Sequence, residues 1–125
     1  MISAKELDVF KAQEQFDQIC KFLQGAFREG QRIDHVERGL FSRAMTMCLE
    51  MLRSFVEAHG YGDQGETMER EGKTLARLPK LRDKRYLSIF GELWIGRRVY
   101  GTREGQAIAW SPLDAALGLP AGENS

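Results

Sequence analysis

The chain has 125 residues, 42% hydrophobic and 29% charged, with a net charge of zero. That is the mixture of a soluble globular protein, with room for one domain or one domain plus a small appendage. No apolar run approaches the ~20 residues that cross a bilayer. The N-terminus, MISAKELDVFKAQEQF, mixes charged and apolar residues from the start and has no signal-peptide core. A cytoplasmic protein without membrane contact is therefore expected. The charge is unevenly spread. Residues 1–69 hold 8 Lys/Arg against 12 Asp/Glu, residues 70–103 hold 10 against 3, and residues 104–125 hold none against 3. A basic block flanked by acidic segments hints at contact with a polyanion such as DNA.

Two helices open the chain. The first is predicted over 4–29. Ser3 and Glu6 have capping-box spacing, and Phe16, Ile19, Phe22, Leu23, Ala26 and Phe27 recur in steps of three and four. Gly30 is the expected stop. The second is predicted over 35–59, with Asp34 and Glu37 as its capping pair and an apolar stripe of Val36, Leu40, Ala44, Met47, Cys48, Met51, Leu52 and Phe55; Gly60 closes it. The connector Gly30–Asp34 is so short that the helices must be antiparallel neighbours. Two helices this long leave a broad apolar seam, so packing against the β unit, a second copy or another part of the protein is expected.

Residues 61–85 contain three glycines and Pro79 and show no sustained period. They are expected to form a basic flexible linker. From Tyr86 to Tyr100, Leu87, Ile89, Leu93, Ile95 and Val99 alternate with polar residues, the mark of a half-buried strand. Gly91 and Gly96 within it suggest a kink or bulge. Gly101–Gly105 fits a hairpin loop, from which Gln106–Trp110 returns as a second strand. Ser111 followed by Pro112 opens a short helix, which Gly118 ends. The expected fold class is α+β: a long antiparallel helical hairpin over 1–60, a basic linker over 61–85, and a small antiparallel β-hairpin with a short C-terminal helix over 86–125. The tail after Leu119 stops abruptly, as in a truncated chain.

No catalytic pattern appears. His35 and His59 sit at a helix start and a helix end, where histidine ordinarily partners backbone and dipole. Cys20 and Cys48, both inside helical patterns, read as reduced core thiols. The sequence has no CxxC, HExxH, phosphate-loop or GxSxG arrangement. A two-metal nuclease site needs several carboxylates gathered from different elements, and the β region holds too few. No enzyme activity, cofactor, metal or small-molecule ligand is expected. The residues with chemical meaning are the cations Arg77, Lys80, Arg82, Lys84, Arg85, Arg97, Arg98 and Arg103, which could meet DNA phosphates and release counterions. The alternative is an ordinary solvated basic surface. Arg97 and Arg98 are adjacent in a strand and should point to opposite faces. Tyr86, Phe90, Trp94, Tyr100 and Trp110 could stack on bases, but core packing of a small sheet is the simpler use. The methionines at 45, 47, 51 and 68 likewise read as core rather than an adaptable groove.

One stretch has a wider echo. Arg85-Tyr86, Ser88-Ile89-Phe90-Gly91-Glu92, Arg98-Val99-Tyr100, Pro112-Leu113-Asp114 and Leu117-Gly118-Leu119-Pro120 together resemble the N-terminal region of bacterial insertion-sequence transposases of the ISKra type. The helical hairpin ahead of them is similar to that family's leading segment, so the resemblance covers nearly the whole chain. It implies a DDE-type transposase that cuts and joins DNA with divalent metal ions. The acidic triad lies downstream of this region, so no catalytic residue carries over. Some relatives hold zinc in a cysteine-rich insert, and here no cysteine follows Cys48. The resemblance implies a non-catalytic fragment assisting DNA binding or transposase assembly. The alternative is a helical-hairpin interaction or dimerisation module that does not touch DNA.

Overall fold

A computed structural model describes residues 6–102 and 108–120. It has the expected α+β content: two long helices, then small antiparallel strands and a short helix. The chain divides into two compact units. One comprises residues 6–58 with 88–91; the other comprises 59–87 and 92 onward.

In the helical unit, α1 is Phe10–Glu29 and α2 is Ile33–Glu57. α1 begins six residues later than the sequence suggests, so its start does not use the Ser3–Glu6 box, of which Ser3 lies outside the described residues. Instead the Asp8 carboxylate accepts from the Phe10 N–H at 2.9 Å, holding the first turn. Gly30 ends α1 with φ 67°, and its N–H and that of Gln31 return to the last carbonyls. α2 starts at Ile33, two residues early. Asp34 is therefore inside the first turn, where it suits the positive end of the helix dipole and binds Arg32 and Arg38. Phe22 of α1 lies on Gly39 of α2. A β-carbon at Gly39 would sit 2.3 Å from the Phe22 ring, and the Arg43 guanidinium covers that ring at 3.7 Å. Only glycine admits this contact.

In the second unit, residues 61–85 are not a linker. They contain β1, Thr67–Arg70, β2, Lys73–Arg77, and most of β3, Arg82–Ser88. β1 and β2 pair with Arg70 opposite Lys73, leaving Glu71-Gly72 as a two-residue turn. Both turn residues have positive φ, 52° and 77°. This is a type I′ geometry, whose hand matches the twist of the strands. The sequence reading missed it because Glu-Gly lacks the Asn or Asp that usually marks such turns.

The predicted 86–100 strand is also divided. β3 turns through Ile89-Phe90 into β4, Gly91–Arg97, so Gly91 is a turn exit, not a mid-strand kink. The Ser88 hydroxyl secures the turn, accepting from the Phe90 and Gly91 N–H groups and donating to the Gly91 carbonyl at 2.6 Å. β5, Tyr100–Gly101, joins the edge of β2, with Arg77 opposite Tyr100. Trp110 bridges to Tyr100, but the expected loop and return strand fall largely on residues 103–107, outside the described residues. α3, Pro112–Leu117, forms as expected. The Ser111 hydroxyl caps it by accepting from the Asp114 N–H at 3.3 Å, and Gly118 ends it with φ 73°.

The core of this unit is Leu75, Leu78, Leu93, Ile95, Val99, Tyr100 and Leu113. Among them lies a fully buried arginine, Arg97. Replacing Glu71 with asparagine, which tolerates the left-handed conformation better, should stabilise the β1–β2 turn by about 0.5 kcal/mol. A higher midpoint in thermal or denaturant unfolding checks this; an unchanged or lower midpoint contradicts the type I′ assignment.

Candidate functional site

Two regions could engage a partner: the basic segment of the β unit and the apolar side of the hairpin. The alternation of β3 and β4 sorts the cations. Lys84 and Arg97 point inward and are buried, so they cannot meet a phosphate. Arg97 Nη1 donates to Asp114 Oδ2 at 2.6 Å, and its Nε to the Arg82 carbonyl at 3.2 Å. Lys84 Nζ donates to the Pro120 carbonyl at 2.8 Å and lies 3.7 Å from Asp114 Oδ2. Two buried cations thus share one carboxylate. Arg97 Nη2 and Asp114 Oδ1 are buried without a hydrogen-bond partner among the described residues, so the pair is held by one charged bond rather than two.

The outward cations are also engaged. Arg77 Nη1 donates to both oxygens of Asp63, at 2.7 and 2.9 Å, and this bond raises the guanidinium pKa further. Arg85 pairs with Glu92 across the β3–β4 hairpin. Arg82 is half-buried at the start of β3, and Arg98 donates to the Pro79 carbonyl at 3.4 Å. Lys80 is exposed. Arg103 lies outside the described residues. Among the described residues, these cations do not form one basic surface.

The aromatic residues divide similarly. Tyr100 is buried, with its hydroxyl accepting from the Gln64 N–H at 2.7 Å and donating to the Gly65 carbonyl at 2.6 Å. Trp110 is half-buried, its ring under the Arg70 guanidinium at 3.4 Å. Trp94 is exposed and donates to Glu92, so it is no core residue. Among the described residues no group of three or more His, Cys, Asp or Glu could hold a metal ion.

The hairpin is the opposite case. α1 buries only Ala12 and Ala26, and α2 buries nothing fully. On α1, Phe16, Cys20, Leu23 and Phe27 follow one another in steps of four, three and four. On α2, Ala44, Cys48, Met51 and Phe55 do the same. These are coiled-coil seam spacings, yet Phe16 is 55% exposed, Phe27 86% and Phe55 49%, with Phe41 beside them at 67%. Both rows lie on one side of the hairpin. An open groove of about 650 Å³ is lined by Val9, Ala12, Gln13, Phe16 and Asp17 from the first half and Met47 and Met51 from the second. The sequence showed that the stripes were wide. It did not show which part of each stripe the opposite helix would cover, a choice that depends on Phe22 seating on Gly39.

No family model, curated protein or solved structure matches the chain.

Removing the Asp114 carboxylate by Asp114→Ala would leave Arg97 and Lys84 buried without a counter-charge, a change that costs about 3–5 kcal/mol in such settings. Chemical denaturation should show that loss. The Asp63 carboxyl is held below its ordinary value, first by the Gly65 N–H and then by Arg77. A lowered folded-state pKa gives stability above the unfolded-state value that disappears as pH falls through the folded one. Asp63→Asn should therefore flatten the acid limb of the stability curve below about pH 4, leaving its shape near neutrality unchanged. Denaturant midpoints across that range measure the effect.

Proposed function

We propose that this chain is the non-catalytic N-terminal region of an insertion-sequence transposase of the ISKra type, working in the cytoplasm, and that its task in DNA transposition is assembly. The observation that carries assembly is the apolar side of the hairpin. Phe16, Leu23, Phe27, Phe41, Met51 and Phe55 are exposed on it, where apolar side chains of this size are ordinarily covered. The family reading rests on the resemblance of residues 85–120. Among its residues are anchors of the β unit: Val99, Tyr100 and Leu113 are buried, and Asp114 holds Arg97.

DNA contact is secondary in this reading. With Lys84 and Arg97 buried, and Arg77 and Arg85 paired to carboxylates, Lys80 and Arg98 are the cations best placed for phosphate. No helix among the described residues is long and apolar enough to cross a membrane.

The genomic sequence following the Ser125 codon, read in all frames, is expected to encode a continuation carrying the spaced acidic residues of a DDE core. A continuation without them rejects the family. Titration with duplex DNA should give weak binding, no tighter than the ~10⁻⁴–10⁻⁶ M typical of non-specific contact at physiological salt. It should weaken further with added salt and in a Lys80→Glu/Arg98→Glu variant. Tight binding that resists salt would shift the function from assembly to DNA recognition.

A further inference from the structure

We infer that the occupant of the hairpin's apolar face is a second copy of this chain, forming a four-helix arrangement by two-fold symmetry; the inference rests on the assembly reading and names its partner. Four properties of the face converge on self-association.

The first is area. A bare aromatic side chain presents ~150–250 Å². At the exposures observed for Phe16, Leu23, Phe27, Phe41, Met51 and Phe55, the face offers roughly 700 Å². That approaches the ~800 Å² each partner gives to a standard interface.

The second is shape. A two-fold interface must be complementary to itself. Each row has phenylalanine toward its ends or flank and smaller groups between: Cys20 and Leu23 on α1, Ala44 and Cys48 on α2. Large ends and a slimmer middle, with a groove at the end where Phe16 and Met51 meet, let one copy seat its knobs in the holes of another.

The third is charge. The seam residues named above carry none. The charged residues that helical spacing places in line with or beside them are Asp17, Lys21 and Arg28 on α1 and Asp34, Glu37 and Arg38 on α2, three of each sign. A copy laid on this face meets no net like charge.

The fourth is access. The β3–β4 turn approaches the hairpin at Leu49, where a β-carbon on Gly91 would lie 3.1 Å from the Leu49 side chain. Leu49 and Met51 are two positions apart, about 200° around the helix. The turn therefore leaves the Met51 side clear.

The test is the mass of the full chain in solution, by light scattering during size-exclusion chromatography at tens of micromolar. The expected value is twice the 14.2 kDa of one chain. Phe16→Glu and Phe27→Glu replace side chains already exposed in the single chain, so each should leave the helical circular dichroism intact. Each should weaken self-association by at least about 30-fold, the size of a hot-spot loss. Ile89→Glu alters an equally exposed residue outside the face and should remain dimeric. The half-buried thiols of Cys20 and Cys48 give an independent readout: their alkylation should slow as protein concentration rises. A single-chain mass at these concentrations overturns the inference, as does a dimer indifferent to both glutamate variants or an alkylation rate independent of concentration. None of these outcomes bears on the family reading, which the continuation past Ser125 decides separately.

Discussion

The β unit is organised by one buried charge arrangement. Arg97 is enclosed on β4, and its guanidinium ties β3, through the Arg82 carbonyl, to α3, through Asp114. Lys84 reaches the same carboxylate from β3 and fixes the chain just beyond α3 at the Pro120 carbonyl. Short strands and a six-residue helix bury too little apolar surface to define their arrangement by packing alone. A desolvated cation is intolerant of misplacement, since every donor left without an acceptor costs free energy. The arrangement selects one register for β3, β4 and α3 together, a role distinct from stability, since hydrophobic replacements of similar volume are often as stable as a buried ion pair.

The helical unit is built on the reverse principle. Among its described residues, no buried ion pair like that of Arg97 and Asp114 ties the two helices together. A tight contact between them is the Phe22 ring against Gly39, covered by Arg43. With Phe22 turned onto Gly39, large residues of the rows from Phe16 to Phe27 and from Ala44 to Phe55 are left exposed. The same contact that joins the two helices thus determines which apolar residues remain for a partner. Stability of the unit and availability of its surface are two results of one packing choice.

The sequence disclosed much of this and concealed specific parts. Helical periods, the Gly30 and Gly118 stops and the Ser111-Pro112 start were legible because they are local: a hydroxyl, a fixed φ and a left-handed residue act within one turn. The β1–β2 hairpin was hidden because its turn carries Glu71, and because its strands are short and rich in charge; only Leu75 is buried in them. The cations were the least legible. In composition Arg97 is identical to Arg98, and Lys84 to Lys80. Arg97 and Arg98 part by strand parity, Lys84 and Lys80 because only Lys84 lies in a strand, and both buried cations depend on the position of Asp114; a count of basic residues contains none of this.

The placement of the two tryptophans has an experimental consequence. Trp94 and Trp110 both belong to the β unit, one in solvent beside Glu92, the other beneath Arg70, while the helical unit has none. Intrinsic fluorescence therefore watches the sheet alone, whereas the far-ultraviolet signal at 222 nm is dominated by α1 and α2. The molecule carries a separate optical label for each half, and following both during denaturation distinguishes one cooperative melting event from two without attaching a dye.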